Sequence, residues 1–362
     1  MKFGFGHVPA EHYRNHVELV QLAENLGYDF AWIPDQTFFH DPYAIMAALA
    51  LATDRIQIGM GVTNPYTRNP GMAARGIATV DEMSNGRAHL GVGAGNRKEL
   101  LNPLGLDSSH AGPKCREFVE VVRALLSGEV ANVQGKYYQA VGVRMDIETR
   151  PDILLYIAGR GPYVLQAAGE VADGVIIGGL CTPKGIEYAW EQVRKGATRS
   201  GRDPQRMEAV SWVTIHITED REAALRGLQP VVAHIIGGAP MEVLNAVGLP
   251  RETVEMIKSA YVEGIPQAAK HVTEECIDTF TIVGDAGEVA RRIRTLERAG
   301  VTQVSVLMPP GTVEQHKDSI RTFADAIFPA FRQAAIGIGV QRAGRAASQC
   351  PCLAEYSAAG GF

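Results

Sequence analysis

Ile56-Gln57-Ile58-Gly59-Met60-Gly61-Val62-Thr63-Asn64-Pro65-Tyr66-Thr67-Arg68-Asn69-Pro70 begins as a short apolar strand and loses its side chains at Gly59 and Gly61. Glycine inside a strand weakens pairing and marks a bulge or the close approach of another molecule to the backbone. Asn64-Pro65 and Asn69-Pro70 close the strand, because a residue before proline is pushed out of the helical region. The stretch therefore predicts a strand ending in a bulged, polar loop, serving either as a ligand floor or as a structural bulge at a barrel rim.

Outward from this strand the chain alternates. A strand at Lys2–His7 precedes a helix at Glu11–Leu26 that Gly27 caps, and Phe30–Ile33 is a second strand. Tyr43–Ala52 is a helix apolar nearly all round, and Met72–Met83 follows the opening strand. Arg87–Gly93 is the fourth strand, and then come a helix at Arg116–Leu126 and a hairpin around Val133–Met145. The alternation resumes with strands at Leu154–Ala158, Val175–Ile177, Glu208–Ile217 and Gln303–Leu307. The helices between and after them are Tyr163–Val171, Gly185–Ser200, Gly287–Ala299 and Glu314–Phe328, with a mostly helical insertion over Asp220–Glu275. Eight strand–helix units with right-handed crossovers predict an α/β fold, a (β/α)8 TIM barrel; an open doubly wound sheet is the alternative. One domain is expected over 1–331, with insertions near 97–150 and 220–280, and 332–362 as a poorly packed extension.

Composition narrows the classes. Of 362 residues, 46% are apolar and 21% charged, as in soluble globular chains. The net charge of −5 argues against a nucleic-acid surface, and no apolar run is long enough to span a membrane. The N-terminus turns polar too early for a secretory signal. Five scattered cysteines (Cys115, Cys181, Cys276, Cys350, Cys352) fit a reducing cytoplasm without a disulfide framework.

In such a barrel the site lies at the C-terminal strand ends, and these are rich in glycine: Gly6-His7, Pro34-Asp35-Gln36, Gly61–Asn64, Gly93–Asn96, Ala158–Pro162, Ile177–Gly179 and Ile215-His216. Rims poor in side chains suit a broad planar ligand lying against backbone. Gly159-Arg160-Gly161 runs into a helix opened by Pro162, so free N–H groups and a cation would face an anion, with Gly178-Gly179 beside them. This predicts a phosphate site without a Walker loop or a dinucleotide fingerprint. His12 and His16 share i, i+4 spacing near His7 but lack a zinc-protease glutamate, so a solvated helix face is expected and no metal. His40 and Tyr66 follow their strands toward the site. No Ser-His-Asp order or paired carboxylates support hydrolysis.

Gly86-Arg87-Ala88-His89-Leu90-Gly91-Val92-Gly93-Ala94-Gly95 resembles the signature of the luciferase-like flavin and deazaflavin oxidoreductases. Lys2-Phe3-Gly4, Gly59–Tyr66, Gly93–Asn96, Gly284 with its following helix, Gln192–Gly196 and Ala299–Val304 resemble the methylenetetrahydromethanopterin reductases within it, collinearly over about 1–330. The resemblance implies a TIM barrel using coenzyme F420, and a non-prolyl cis peptide at Gly61-Val62 behind the deazaflavin ring. It also implies that Asp35, Thr63, Asn64 and Asn96 flank the ring, with Gly95 beside them. Gly159, Arg160, Gly161, Gly178 and Gly179 would hold the coenzyme phosphate.

Two departures stand out. The reductases carry a glutamate where this chain has Gly6, and an aspartate where it has Asn96. Loss of general acids, which contribute ~10²–10⁴-fold, weighs on the substrate more than on the cofactor. The resulting expectation is a cytoplasmic, homodimeric F420-dependent oxidoreductase acting on a pterin, a folate or an alcohol. Asp35, Asn96 and Tyr66 would tune the ring or orient substrate, with Gln36, His7 and His40 in reserve. An FMN-dependent monooxygenase and a non-catalytic F420-binding protein are the alternatives.

Overall fold

The computed structural model describes residues 1–332 apart from Pro9, Thr37, Pro309 and Pro310. The expected extension at 332–362, with Cys350 and Cys352, lies outside the described residues from 333 onward. In chain order the first elements are β1 (Lys2–Gly6), α1 (Tyr13–Leu26), β2 (Phe30–Ile33), α2 (Pro42–Ala52), β3 (Gln57–Thr63), α3 (Pro70–Met83) and β4 (Ala88–Gly93). A π-turn at Arg97–Leu101 leads to α4 (Ala111–Leu126) and an antiparallel hairpin, β5 (Ala131–Gln134) with β6 (Gln139–Val143). Then follow β7 (Leu155–Gly159), α5 (Pro162–Val171), β8 (Gly174–Gly178), α6 (Pro183–Arg199) and β9 (Glu208–Ile217). The insertion comprises α7 (Arg221–Gly238), α8 (Met241–Val247), α9 (Arg251–Glu263), α10 (Ile265–Ala269) and α11 (Glu274–Phe280). β10 (Thr281–Gly284), α12 (Ala286–Arg298), β11 (Gln303–Leu307) and α13 (Val313–Arg332) complete the order.

Parallel pairing runs β11-β1-β2-β3-β4-β7-β8-β9 and closes from β9 back to β11, giving the eight-stranded barrel that the alternation predicts. β10 was not expected. β9 outlasts the barrel wall, and its outer half, Thr214–Ile217, pairs in parallel with Thr281–Gly284. That β-branched segment satisfies backbone groups the barrel leaves bare.

Phe30, Trp32, Tyr156, Ile176 and Val210 fill the barrel, with Val62, Ala158 and Trp212 packed above them. Phe30 and Trp32 stack at 5.4 Å, and Tyr156 meets Trp32 edge-on at 5.2 Å. The opposite mouth is sealed by polar contacts. Tyr156 Oη donates to Glu208 (2.7 Å), which pairs with Lys2 (2.6 Å). Arg87, the second residue of the signature, is buried and donates to Thr53 Oγ1 and to the carbonyls of Ala50, Thr53, Ile56 and Ser84. The first half of the signature therefore holds the barrel's base. Its second half, Gly93–Gly95, reaches the functional rim.

Four helices that follow barrel strands open with proline in their first turn: Pro42, Pro70, Pro162 and Pro183. Proline is pre-shaped for that position and lacks the N–H that would be orphaned there. Asp41, Asn69 and Thr182 cap three of them through their side chains, whereas α5 follows Gly161 and has no side-chain cap.

Candidate active site

The register of β3 against β4 slips between Met60↔Leu90 and Thr63↔Val92, the bulge expected of this stretch, and the Gly61-Val62 bond within it is cis. The glycines nearby serve a different purpose from the one composition suggested. A β-carbon at Gly6 would fall 2.5 Å from the Trp212 ring, and one at Gly61 2.9 Å from it. These bare backbones are covered by an indole; they do not form an open floor. Gly178, by contrast, has nothing within 4 Å of its β-carbon position.

The polar residues of the β2, β3 and β4 rims are bound to one another. Asp35 accepts from Thr63 Oγ1 (2.8 Å) and from Arg68 Nε (2.9 Å) and Nη2 (3.3 Å), and Arg68 also donates to Asp41 (2.7 Å). Hydrogen bonding to Asp35 raises the Arg68 pKa above its ordinary value. Asn64 is buried and accepts from the N–H groups of Tyr66 and Thr67, both at 3.0 Å. Tyr66 donates to the carbonyls of Ser108 (2.9 Å) and Ser109 (3.2 Å), and its pKa is raised chiefly by burial. It ties a loop down. Asn96 caps the π-turn, accepting from Glu99 N (3.0 Å) and donating to the Glu99 carboxylate (2.8 Å). A carboxylate is thus present at the β4 rim, three residues beyond where its loss was read; the S/T/D/N-x-x-E spacing of a capping box was the available signal.

The histidines also differ from expectation. His12 is an exposed N-cap of α1, whereas His16 is buried and belongs to no solvated face. His16 Nε2 contacts the Glu11 carbonyl (3.1 Å), His16 Nδ1 meets His7 Nδ1 (3.1 Å), and His7 Nε2 meets His316 Nδ1 (3.2 Å). His40 lies with its ring 6.5 Å from that of His16. Since a carbonyl only accepts, neutral His16 carries its proton on Nε2, and Nδ1 accepts from His7. Burial lowers the His7 pKa to about 3, with His16 and His316 adding to the effect, and burial lowers that of His16 as well. His7 points out of the barrel, toward α1 and α13.

At the β7 and β8 rims the pattern reverses. Arg160 Nη1 is shielded from solvent and has no partner among the described residues, and burial draws the guanidinium pKa below its ordinary value. It lies 3.7 Å from the β-carbon position of Gly179, a residue in the left-handed region (φ 70°) where glycine is favoured. The uncapped start of α5 adjoins it. An orphaned cation, free helix N–H groups and bare Gly178 match a phosphate. The insertion adds residues that the sequence reading missed. Ile235 of α7 packs on Gly179, and His234 meets Tyr261 Oη of α9 at 3.0 Å. Lys98 of the π-turn sits 4.2 Å above the Tyr261 ring. Only the fold brings these together.

The family profile described as luciferase-like monooxygenase matches residues 2–303. The chain belongs to this family. It is 35% identical over 334 residues to a 5,10-methylenetetrahydromethanopterin reductase of Archaeoglobus fulgidus, covering 91% of this chain and 99% of that one. The solved coenzyme F420 dependent tetrahydromethanopterin reductase of Methanopyrus kandleri superposes with a TM-score of 0.81 at 30% identity, covering 91% and 99% of the two chains. An F420-dependent secondary alcohol dehydrogenase shares the fold (TM-score 0.71, 22% identity, 92% and 100% covered).

Proposed function

We propose that this member of the luciferase-like family is an F420-dependent oxidoreductase acting on a methylene carbon attached to a pterin or folate. The observation that carries it is the shielded, unpartnered Arg160 nitrogen beside Gly179 at the uncapped start of α5. Relatives at 30–35% identity over nine-tenths of the chain support the same reading. Arg160, Gly159, Gly161, Gly178 and Gly179 would bind the coenzyme phosphate, and Val62–Asn64 with Gly95 would line the ring. When bound, the coenzyme supplies two-electron hydride chemistry.

The chain's own work is positioning. Asp35 holds the Thr63 hydroxyl and Arg68 holds Asp35, so the ring-facing end of β3 is fixed before any ligand arrives. Asn96 keeps the Glu99 carboxylate at the rim, where it stands in for the acid missing at 96. We place the enzyme in the cytoplasm as a homodimer. α2 supports the dimer through an outer face of Ala44, Ala48 and Leu51, the last 74% exposed.

Titration of the purified protein with F420 and, separately, FMN tests the reading. The expected result is saturable F420 binding with FMN at least tenfold weaker, and oxidation of reduced F420 by methylene-tetrahydromethanopterin or methylene-tetrahydrofolate. Preference for FMN, or binding of neither, overturns it.

A further inference from the structure

Between the loop that follows β3, the first turn of α4 and the β5–β6 hairpin lies a cavity of about 480 Å³ that the proposed cofactor site does not use. Its lining includes Pro65, Tyr66, Arg68, Asp107, Lys114 and Tyr138. Cavities of this size hold small molecules. The hydroxyls of its walls are already tied off: Tyr66 Oη donates to the Ser108 and Ser109 carbonyls, and Tyr138 Oη to the Pro65 carbonyl. What both residues bring to the space is ring surface. Arg68 is neutralised by Asp35 and Asp41, but Lys114 is not neutralised in this way. Its Nζ lies 4.5 Å from the centre of the Tyr66 ring and 5.7 Å from that of Tyr137, and it donates to the Asp107 carbonyl at 3.3 Å. An ammonium has three donors, so two are left without an acceptor among the described residues. Within those residues no carboxylate comes within 4 Å of Lys114, and the Asp107 carboxylate is taken up by the N–H and hydroxyl of Ser109. Arg97, whose charge acts on Tyr66, likewise has no carboxylate within 4 Å among the described residues.

The cavity adjoins the proposed ring site through the chain itself. Thr63 and Asn64 are followed directly by Pro65 and Tyr66, and three residues of chain reach at most about 10 Å. A long substrate lying over the ring would meet the cavity beyond it. Aromatic walls ending at an unneutralised ammonium fit an aryl group that carries an anion. We infer that this cavity is a subsite for the tail of the substrate, with Tyr66 and Tyr138 packing on its aryl ring and Lys114 pairing with the anion. This rests on the F420 reading and deepens it on the substrate side. A folate carries an aryl carboxylate tail, and a methanopterin carries an aryl group whose anion stands further out. Tyr66 then orients substrate with its ring, its hydroxyl being committed to the loop.

The test titrates the full-length, cofactor-free protein with p-aminobenzoylglutamate, an aryl amide bearing carboxylates, and follows the heat of binding. Saturable binding is expected, weakened about threefold to fivefold by Lys114→Ala, as for a partly exposed charge pair. Lys114→Arg should retain it, and added salt should weaken it. In turnover with reduced F420, Lys114→Ala should raise KM by a similar factor for methylene-tetrahydrofolate or for methylene-tetrahydromethanopterin, and the substrate affected identifies which tail the cavity takes. The KM of a methylene-tetrahydropterin without a tail should not change. No fragment binding in the native protein, binding that survives Lys114→Ala undiminished, or an equal KM change for the tailless substrate overturns the subsite. F420 binding is read separately. F420 bound without the fragment overturns the subsite alone, whereas fragment bound without F420 overturns the F420 reading and with it the assignment of the tail to that enzyme's substrate.

Discussion

The two halves of the barrel mouth are built on opposite terms. Around β1 to β4, Asp35, Thr63, Asn64, Arg68, Tyr66, Asn96 and the buried histidines spend their polar groups on partners within the protein. Around β7 and β8, a guanidinium nitrogen is orphaned, a helix start is uncapped and a glycine backbone is bare. Buried polar groups are ordinarily paired, so an unpaired set on one side marks where a ligand completes the structure. On the proposed function the difference separates scaffold from receptor: the satisfied half would shape the ring pocket, and the unsatisfied half would supply affinity.

Acid should break the satisfied half first. His7 is held to a pKa of about 3 against about 6.5 in an unfolded chain, and His16 is lowered too. The unfolded state then binds more protons between these values, so this stability is complete above about pH 6.5 and is lost as pH falls toward 3. Urea denaturation at stepped pH should show a loss on the order of a few kcal/mol across that window. His7→Leu should flatten the curve; an unchanged slope would show that the cluster is not what titrates.

Arg160→Leu sharpens the contrast from the other side. Hydrogen bonds to charged groups are worth ~1.5–3 kcal/mol, so F420 affinity should fall about tenfold to hundredfold. Thermal stability of the free protein should hold or rise, since an unpaired shielded charge is removed. A stability loss with affinity intact would move Arg160 into the scaffold half.

Asn96→Ala is the smallest effect expected. Removing a side-chain cap costs ~1 kcal/mol, measurable as a shift in the denaturation midpoint. F420 affinity should remain within about threefold, well inside the span of 1 kcal/mol. A larger loss of binding would make Asn96 part of the receptor.

Much of the candidate site was readable because it depends on residues adjacent in the chain. Gly159-Arg160-Gly161-Pro162 carries its turn, its cation and its helix start in four consecutive positions, so the anion reading needed no contacts from elsewhere. The bulge of Gly59–Thr63 was legible for the same reason. The glycines of β1 and β3 misled because a missing side chain does not say whether a ligand or an indole takes the space; Trp212 lies 151 residues beyond Gly61 (212 − 61) and 206 beyond Gly6 (212 − 6). Asp35 and Tyr66 follow β2 and β3 at their C-terminal ends, as read. Their partners Arg68 and Ser108 come from other loops, so the commitment of their polar atoms was invisible.

Sequence alone determined the alternation that closes into a barrel, the end of the barrel that carries the candidate site, and the strand ends that meet there. These follow from periodicity, capping and turn chemistry, which act over a few residues. Tertiary structure decided which polar atoms are already paired, which glycines are covered, and that Lys98, His234 and Tyr261 meet. Those outcomes depend on distances between segments far apart in the chain, and local patterns carry no record of them.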